Sequence, residues 1–449
     1  MVCLLPMQGM SASAHTALGI LTCAIVWWIV KVFPEFVTGL LMCAAFTVFC
    51  GVPTETVFSA FSGASWWLLL SAFGISVGVS ESGLMKRVTL SVLKLFPASF
   101  TGQVTGLLVV GTLTAPFIPS MSAKAAIFAP LVKGICADLG YRDGSRHASG
   151  IFLAMLTGLR NPGPLFISAS VLGYAFIGLL PDYIQERYSM LQWLVDAFPW
   201  FATVSVLNFS ALLLVFRPKN EISISRDSLQ TKLEAMGPMS GQEKYMLVLS
   251  LATIGMWISE GLHGIPSEIT AVISLALVVV GKGCSAAALC ANINWGSMLF
   301  LGIALSLSSV FSYLNIDKWI VDTLAPMLTG LVDKPCALML AVALFTTVSR
   351  FVIVSELAFV NIFIAFTVPL AEQAGINPWV VCLAVYALVN PWFFMYQNPV
   401  YMAAHYAAGG TLEKASICTA YCVVYQLICM VGLVVSTFIW LRCGTFYIN

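Results

Sequence analysis

The sequence predicts an all-α polytopic membrane protein with two inverted repeats, each consisting of five transmembrane spans and one re-entrant helical hairpin. Three observations predict this fold class: a composition poor in charge, a series of long apolar segments, and a similarity between the two halves of the chain. Of the 449 residues, 59% are hydrophobic and 9% are charged, whereas soluble domains contain roughly 45–50% and about 25% of these classes. The 21 basic and 20 acidic side chains are too few to cover a soluble protein of this length.

The same composition excludes several functional classes. A cytosolic enzyme needs a charged surface, a nucleic-acid-binding protein has a basic stripe, and an outer-membrane barrel has short segments of alternating polarity. The 13 cysteines form no CxxC pair or Cys/His cluster, which indicates packing residues rather than a metal site or disulfides. A GxxxxGK[ST] loop is absent, so nothing supports ATP-driven pumping. We therefore expect no enzymatic activity, no nucleic-acid partner and no cofactor, with the lipid bilayer as the surrounding medium.

Apolar segments of about the length that a transmembrane helix needs, roughly 20 residues, recur along the whole chain. The predicted spans are residues 14–33, 36–51, 65–81, 148–180, 191–216, 245–260, 266–281, 295–313, 378–408 and 415–441. Two further apolar segments, at about 102–139 and 335–374, have polar or charged residues near their middle. We expect these two to be re-entrant hairpins, because non-helical tips survive at membrane depth only where protein or water covers them.

The two halves of the chain are similar at regular intervals, which indicates an internal repeat. Trp67 and Trp295 begin similar apolar segments and are 228 residues apart. Comparable distances separate further pairs, which are Gly74 and Gly302, Ser80 and Ser308, Trp28 and Trp257, Ser120 and Ser355, and Asn161-Pro162 and Asn398-Pro399. The sequence therefore predicts repeats at 14–216 and 243–441, joined by a charged linker at 217–242. Five crossings in each repeat invert the second copy relative to the first.

The distribution of Lys and Arg predicts the orientation in the membrane. By the predicted spans, fourteen of these residues lie on the side of the 217–242 linker and four lie on the opposite side. Because cytoplasmic loops carry the excess of Lys and Arg, we expect the linker in the cytoplasm and both termini outside. The expected location is the cytoplasmic (inner) membrane.

Four interruptions of the apolar helices are candidate binding elements. Two are the hairpin tips, at 118–124 (the first tip) and 350–357 (the second tip), and two are proline-containing breaks predicted at 159–164 and 396–400. Proline removes a backbone donor and disfavours helix at the preceding residue, which frees carbonyl groups for a ligand. In carriers with inverted repeats, such interruptions form the binding site near the bilayer midplane.

The charged residues inside the predicted membrane region all lie in or beside these interruptions: they are Lys124, Arg160, Arg350 and Glu356. A charge at the bilayer centre costs about 2.5–3.5 kcal/mol on mild scales, so such residues usually face a polar cavity or a partner. The excess of cations favours a negatively charged substrate. The alternatives are that Arg350 and Glu356 only pair with each other and that Arg160 extends to the membrane interface.

Several motifs resemble those of the divalent anion:sodium symporter family. Members have a tryptophan-to-proline motif near the first span, here WIVKVFP at 28–34, and a further motif, here GVPTETVFSAFSG at 51–63. The family signature at each tip is Ser-Asn-Thr-Ala-Thr, with a proline ten residues beyond the serine. The first tip has Ser-Met-Ser-Ala-Lys at 120–124 with Pro130 at that spacing, and the second tip matches only the serine and alanine. The resemblance covers nearly the whole chain.

The resemblance implies an elevator-type carrier: a homodimer in which each protomer has a fixed scaffold domain and a moving transport domain that contains both hairpins. It also implies a di- or tricarboxylate or sulfate substrate and, usually, symport with Na+. We therefore expect a secondary active transporter for a small dianion, first of all a C4 dicarboxylate, coupled to sodium or protons or working by exchange. The alternatives are a sodium-independent exchanger for sulfate, citrate or a sulfonate, a different antiporter of the ion transporter superfamily, and a channel.

The expected substrate site combines the tips and the breaks: its residues are Ser120, Met121, Ser122, Lys124, Asn161, Pro162, Arg350, Ser355, Glu356, Asn398 and Pro399. If transport is coupled to sodium, the expected cation ligands are Ser120, Ser122, Asn161, Ser355 and Asn398. Hydroxyl and carboxamide groups serve both cations and anions, because they accept as well as donate hydrogen bonds. The aromatic residues at 392–396 are interpreted as packing residues. The scaffold spans at 14–51 and 245–281 are expected to form the dimer interface.

Lys124 replaces a threonine of the family signature, and this replacement bears on the coupling ion. A lysine ammonium supplies donors only, whereas a sodium site consists of oxygens. If Lys124 points toward the first tip, its ammonium occupies the region in which the family binds a cation, and Glu356 becomes the candidate proton carrier. The alternative is that Lys124 is rotated away and reaches the cytoplasmic interface.

Overall fold

The computed structural model describes residues 9–219, 227–323 and 333–448, without the side chains of residues 227 and 228. Within these ranges the chain forms helices, turns and loops, with one isolated β-bridge between Ile376 and Tyr447. This all-helical architecture confirms the predicted all-α class. Part of the predicted linker, residues 220–226, lies outside the described residues.

The helices before the linker are α1 (Ala12–Val30), α2 (Glu35–Cys50), α3 (Thr54–Val57), α4 (Ala64–Glu81), α5 (Leu84–Leu95), α6 (Phe100–Thr114), α7 (Met121–Asp138), α8 (Arg146–Arg160), α9 (Val171–Leu179), α10 (Asp182–Arg187) and α11 (Met190–Phe216). The later ones are α12 (Asp227–Glu234), α13 (Gly241–Ile258), α14 (Glu260–His263), α15 (Ser267–Val280), α16 (Ala286–Asn292), α17 (Trp295–Tyr313), α18 (Pro335–Ser349), α19 (Glu356–Gln373), α20 (Pro378–Val389), α21 (Pro399–Ala407) and α22 (Ala415–Cys443). The chain is also helical at 316–323.

Among the described residues, six helices are long and apolar enough to cross a bilayer by themselves. They are α1, α6 with the short turn that follows it, α11, α17, α19 and α22. The bent pair of α4 and α5 forms a seventh candidate, and α2, α15, α18 and α20 are shorter apolar helices. Several apolar helices of this length confirm the prediction of a polytopic membrane protein.

Helix α5 is an element that the sequence analysis does not predict. It follows α4 at an angle of 69°, and the chain turns at Gly83, whose φ of +79° is open to glycine and strained for most other residues. The helix is amphipathic, with Leu90 and Leu93 buried and Lys94 in its last turn. Because its apolar residues occupy only one face, it lacks the continuous apolar run by which the spans are recognised.

Each predicted hairpin contains two helices, called its first and second arms. Corresponding arms of the two hairpins have the same length. The first arms, α6 and α18, both have 15 residues, and the second arms, α7 and α19, both have 18. The second arms begin at equivalent serine caps. The hydroxyl of Ser120 accepts a hydrogen bond from the backbone of Ala123 at 3.3 Å, and that of Ser355 accepts one from Ala358 at 3.2 Å. A serine at this position satisfies a free N–H of the first turn, which explains where both helices start.

Two long predicted spans are interrupted, as the proline positions predict. The non-α segment at 161–170, called the first break below, separates α8 from α9, and the segment at 390–398, the second break, separates α20 from α21. The C-cap of α8 is Asn161 and that of α20 is Asn390. In both cases the next residue is a proline, which supplies no backbone donor.

The sequence prediction for the start of the second break, at residue 396, is wrong. The helix ends at Asn390 because Pro391 follows it, and the predicted segment covers only the last part of the break. Prolines 391 and 399 lie at the two ends of this break, and the predicted segment at 396–400 contains only Pro399.

Helices from the two halves pack against one another in matching pairs: α4 packs on α15, and α2 packs on α17. Equivalent tryptophans make equivalent hydrogen bonds. The indole of Trp28 donates to the carbonyl of Glu35 at 3.1 Å, and the indole of Trp257 donates to that of Ser267 at 3.0 Å. Each of these carbonyls belongs to the residue after a proline. The arms of the hairpins pack on different neighbours, α6 on α8 and α7 on α21.

Candidate functional site

A cavity of about 370 Å³ lies where the two tips approach each other. Ser120, Met121 and Ser122 line it from the first tip, and Ser355 and Glu356 line it from the second. With Pro399, six of the residues expected in the substrate site from the sequence therefore face one common space. A volume in this range accommodates a small organic anion with some water.

The helices that follow the four interruptions all begin at this cavity, because each interruption ends with the start of a helix. The first residues of α7, α9, α19 and α21 are Met121, Val171, Glu356 and Pro399, and all four line the cavity. The first turn of a helix has free N–H groups, and its end of the helix dipole is positive. Helix N-termini that converge in this way favour a negatively charged ligand.

The carboxylate of Glu356 lies between two buried guanidinium groups at the cavity wall. Arg160 Nη2 donates to Glu356 Oε1 at 2.9 Å, and Arg350 Nη2 lies 3.7 Å from the same oxygen. The side chain of Arg160 is completely buried and that of Glu356 is 14% exposed. Two cations and one anion leave a positive charge in excess beside the cavity. Arg160 therefore does not extend to the membrane interface, and Arg350 is not the closest partner of Glu356.

Arg350 does not line the cavity but holds the second tip to the second break. Its Nη1 atom donates to the carbonyls of Ile353 at 2.8 Å and Val354 at 2.6 Å, both in the tip. Its Nη2 atom donates to the carbonyl of Gln397 at 2.8 Å, and Gln397 Nε2 donates back to the carbonyl of Arg350 at 3.1 Å. The position of this guanidinium is therefore set by backbone groups on both sides.

Asn398 is buried behind the cavity and positions Arg160. Its Oδ1 atom accepts hydrogen bonds from the backbone of Val400 at 3.0 Å and Tyr401 at 3.1 Å, which caps α21. The same oxygen accepts from Arg160 Nη1 at 3.1 Å. Pro399, the first residue of α21, does line the cavity. A proline is favourable at this position because the N–H that it lacks has no partner within the helix.

Asn161 and Pro162 are also buried away from the cavity. The Oδ1 atom of Asn161 accepts a hydrogen bond from the hydroxyl of Tyr425, and its Nδ2 atom has no partner in the part of the chain that the structure describes. Asn161 is the C-cap of α8, whereas Asn398 is the N-cap of α21. The pairing of these two residues in the sequence analysis is therefore wrong.

The equivalent positions follow from the helix ends. Asn161 corresponds to Asn390, since each ends a helix before a proline, and Ser170 corresponds to Asn398, since each caps the following helix. These pairs are 229 and 228 residues apart, close to the distance between Trp67 and Trp295. The spacing of the tryptophans is the signal that identifies both pairs in the sequence.

Lys124 is completely buried, and its ammonium lies between α7 and the first break. The Nζ atom donates to the carbonyl of Ala169 at 3.2 Å. Lys124 therefore neither lines the cavity nor reaches an interface with solvent. The orientation that reaches the cytoplasmic interface is therefore excluded, and the ammonium bonds to the first break rather than facing the cavity at the first tip.

Residues that the sequence analysis does not select also line the cavity. Ser170 does so from the first break, Lys31 from the end of α1, Glu35 from the start of α2, and Asn294 from the start of α17. The interpretation of residues 392–396 holds only in part. Trp392 is buried and Phe393 stacks on Phe351, whereas Tyr396 lines the cavity and is 49% exposed.

In the described ranges, no group of three or more His, Cys, Asp or Glu side chains has the geometry of a metal site. The cysteines in these ranges are free. The cavity is lined by serine hydroxyl groups, the carboxylates of Glu35 and Glu356, the Lys31 side chain and helix N-termini, with the guanidinium groups of Arg160 and Arg350 behind Glu356.

Two curated proteins illustrate the relationship to known families. The chain is 28% identical over 333 residues to dicarboxylate transporter 1, chloroplastic, of Arabidopsis thaliana. The aligned region covers 72% of this chain and 59% of that protein. The chain is also 24% identical over 325 residues to the inner membrane protein YbhI of Escherichia coli (strain K12). That aligned region covers 70% of this chain and 68% of YbhI. The chain spans between 58% and 65% of the length of three of the curated relatives that it matches.

A solved structure and a family model complete the comparison. The structure of MtrF of Neisseria gonorrhoeae, whose title describes a class of antimetabolite efflux pumps, matches with a TM-score of 0.62 at 13% identity, over 97% of this chain and 95% of that one. At this identity the likeness shows the fold alone. A model described as "Sodium:sulfate symporter transmembrane region" matches residues 1–442. The chain therefore belongs to this family of integral membrane transport proteins, which confirms the resemblance that its motifs predict.

Proposed function

We propose that the protein is a secondary carrier that moves a small dianion, first of all a C4 dicarboxylate, across the cytoplasmic membrane. The observation that carries the proposal is the convergence of four helix N-termini on one cavity beside the Arg160–Glu356–Arg350 cluster. Both features favour negative charge, and neither suits a cationic or apolar substrate. The name of the Arabidopsis relative, a dicarboxylate transporter, is in keeping with this substrate class.

The serine hydroxyls at the cavity supply the polar contacts that a carboxylate needs. Ser120, Ser122 and Ser170 line one side, and Ser355 lines the other. Each hydroxyl donates one hydrogen bond, and the guanidinium groups behind Glu356 add the charge. A C4 dicarboxylate has two carboxylates, so we place one toward each tip.

We propose that the substrate moves by an elevator mechanism in two inverted repeats. Support comes from the equal lengths of corresponding hairpin arms, the equivalent tryptophan hydrogen bonds and the symmetric helix ends at the two breaks. In this proposal both hairpins and both breaks move together with the substrate. The spans at 14–51 and 245–281 form the fixed scaffold and the interface of a homodimer. The linker lies in the cytoplasm and both termini lie outside.

Transport in proteoliposomes tests the proposal most simply. Purified protein is reconstituted and uptake of radiolabelled succinate, malate, 2-oxoglutarate, citrate, sulfate, a sulfonate and lactate is measured into empty and into anion-loaded vesicles. We expect the C4 dicarboxylates to be taken up fastest and the monoanion lactate not to be transported. If sulfate, citrate or a sulfonate is taken up and the dicarboxylates are not, the substrate is one of the alternative anions rather than a C4 dicarboxylate. If none of the anions is taken up, the proposed function is wrong.

A further inference from the structure

The wall of the cavity that lies opposite the tips contains a lysine of the proposed scaffold. This wall consists of Lys31 at the end of α1, Glu35 at the start of α2, and Asn294 and Ser297 at the start of α17. Lys31 is exposed, and it is the one Lys or Arg among the described residues that line the cavity. Its ammonium is therefore placed to touch a ligand directly, whereas the guanidinium groups lie behind Glu356.

A comparison of the two halves shows why this side chain is available to a ligand. Lys31 and Glu260 occupy equivalent positions, because each follows the equivalent tryptophan of its half by three residues. Glu260 caps the next helix: its Oε1 accepts from the backbone N–H of Ser267 at 3.2 Å, and its Oε2 accepts from the hydroxyl of Ser267 at 2.6 Å. A lysine supplies donors only and cannot form such a cap. Helix α2 accordingly has no side-chain cap, and Lys31 is not used there.

The backbone of Lys31 is in a conformation that is unfavourable for this residue type. Its φ is +56°, in the left-handed region that glycine adopts most easily. A non-glycine residue in this region indicates that its side chain has a role, because the strain could otherwise be relieved by glycine. Lys282 has nearly the same φ, +59°, but does not line the cavity. The two lysines therefore differ in position relative to the cavity and not in backbone conformation.

The neighbouring carboxylate does not cancel the charge of Lys31. Glu35 is in the first turn of α2, where the positive end of the helix dipole offsets a negative side chain. Within the described ranges, Lys31 forms no ion pair with Glu35 or with any other acidic residue. The ammonium is therefore available to a carboxylate of the substrate.

A second space, called the opposite cleft below, has the opposite charge. It has a volume of about 850 Å³, and the carboxylates of Asp182, Asp317 and Glu372 line it. No Lys or Arg among the described residues lines it. Helix α17 connects the two spaces, since Asn294 at its start lines the cavity and Ser312 near its end lines the cleft. By the predicted spans, Lys31 is on the side of the linker and the opposite cleft is on the other side.

From these observations we infer that Lys31 binds the dianion from the scaffold on the linker side only, and thereby makes the affinity of this side higher than that of the other. The inference rests on the proposed function, because a residue of a fixed scaffold loses contact with the substrate when the hairpins move. On the linker side, the ammonium donates to one carboxylate while the tips hold the dianion. On the other side, the dianion approaches carboxylates that repel it.

The first test measures the affinity of each side separately. Right-side-out and inside-out vesicles are prepared from the same cells and loaded with a saturating C4 dicarboxylate, and the Km for uptake of the labelled dianion is determined. A protease site placed in the linker identifies the vesicles that present the linker side. For the wild type we expect a Km on the linker side that is lower by about threefold or more. Equal Km values, or a lower Km on the other side, would overturn the inference.

The second test removes the charge with Lys31→Met and Lys31→Gly, and Lys282→Met is the matched control. We expect both Lys31 variants to raise the Km on the linker side by about three- to tenfold, with the effect in Km rather than in kcat. The Km on the other side and both values for the control should stay within about twofold of the wild type. Lys31→Arg, which restores the charge, should restore the Km of the wild type.

The glycine variant separates the charge from the folding of the protein. Glycine adopts a φ of +56° without strain, so we expect the Tm of Lys31→Gly to be no lower than that of the wild type. Three results for the variants would overturn the inference. They are an unchanged Km on the linker side, an equal rise in Km on both sides, and the same rise for Lys282→Met as for Lys31→Met.

The outcomes also distinguish this inference from the proposed function. If the wild type transports none of the anions of the panel, the proposed function is wrong and the inference is wrong with it. If the wild type transports dicarboxylates and the Lys31 variants keep its Km on the linker side, the proposed function stands and only the inference is wrong.

Discussion

The carboxylate of Glu356 lies between two guanidinium groups, and this cluster links all the interruptions except the first tip. Arg160 stands at the end of α8 before the first break, Arg350 begins the second tip, and Asn398 ends the second break. A carboxylate shared by two arginines keeps both of them fixed without neutralising them fully. At the scale of single residues, the cluster therefore places positive charge beside the cavity at a defined position.

Removal of Arg160 should weaken transport strongly. Arg160→Met keeps much of the side-chain volume but leaves Glu356 with one cation at 3.7 Å and Asn398 without its donor. Breaking a buried ion pair by removing one partner costs about 3–5 kcal/mol, so we expect dicarboxylate uptake to fall by about 100-fold or more. The control is Arg187→Met, at an exposed arginine of α10. Uptake by Arg160→Met within about twofold of the control would show that the cluster does not serve the substrate.

The sequence predicts part of the site correctly, and the residues at the tips and breaks show where the prediction stops. The polar and charged residues at the interruptions identify Ser120, Ser122, Ser355 and Glu356 as cavity residues. Lys124 and Asn398, in contrast, belong behind the cavity wall, a distinction that the sequence analysis does not make. One residue of register turns a helical side chain by about 100°, and sequence spacing alone does not specify which face meets the cavity.

At the scale of elements, the close approach of α6 and α8 supports the first hairpin. A Cβ atom on Gly111 would lie 2.2 Å from the carbonyl oxygen of Gly158, and a Cβ atom on Gly158 would lie 2.8 Å from that of Leu107. Both contacts are with backbone, so no side chain can move to relieve them. Small residues allow membrane helices to pack at this distance.

Gly111→Ala should therefore destabilise the protein. The helices must separate, and overpacking of this kind typically costs about 1–3 kcal/mol, which we expect as a lower Tm in detergent and slower uptake. Gly255→Ala is the matched control, because Gly255 is also within a helix and a Cβ atom there has no neighbour within 4 Å. If the two variants have the same Tm, the α6–α8 contact does not limit stability.

The pair of Arg87 and Glu243 joins α5 to the start of α13. Arg87 Nε donates to Glu243 Oε1 at 2.7 Å, and its other nitrogens donate to backbone carbonyls at 236–238. Burial acts to raise the pKa of Glu243, but the hydrogen bonds from Arg87 and Ser240 outweigh it and hold the pKa below its ordinary value. Glu243 precedes the predicted span at 245–260.

Arg87→Met should lower stability in a pH-dependent way. Hydrogen bonds to charged groups contribute about 1.5–3 kcal/mol, and we expect a loss near the lower limit at neutral pH. A carboxylate with a lowered pKa stabilises the fold above its unfolded value of about 4.3 and loses this effect as the pH falls through the folded value. The Tm difference between Arg87→Met and wild type should therefore shrink on acidification. A difference that stays constant from pH 7 to about pH 3.5 would exclude this ion pair as its cause.

The elements themselves follow closely from the apolar pattern. Helix α17 begins and ends where the predicted span does, and the first arm of each hairpin begins within two residues of the start of the predicted segment, 102–139 or 335–374. The departures include the start of the second break at Asn390, the first break, which extends to residue 170 rather than the predicted 164, and helix α5. Pro391 lies within the long apolar segment predicted as one span at 378–408, so the apolar pattern does not mark the break there. Helix α5 directly follows the predicted span at 65–81, and its amphipathic pattern lacks a continuous apolar run.

At the scale of the whole molecule, the outer faces of the proposed scaffold are apolar and must be shielded from water. Large apolar side chains are exposed there, among them Val48 at 73% and Val280 at 77%. Lipid covers such surfaces, and a second copy covers part of them in the proposed homodimer. An elevator mechanism requires a fixed element against which the hairpins move, and a dimer of scaffolds supplies it.

Native mass spectrometry in mild detergent tests the assembly. We expect a predominant mass of two chains with bound lipid, and dissociation to monomers only in harsher detergent. A second measurement, with single cysteines placed on exposed positions of α2 in a cysteine-free background, should give cross-linked dimers in membranes. Monomers alone under the mildest conditions, together with no cross-linking, would contradict the proposed dimer.

The most direct test of the central claim is an experimental map of the protein in lipid nanodiscs, with and without a saturating C4 dicarboxylate. The account predicts ligand density in the cavity between Ser120–Ser122 and Ser355–Glu356, in contact with the first turns of α7 and α19, and no such density without ligand. Density for the dicarboxylate at any other place, with this cavity empty at saturation, would contradict the account.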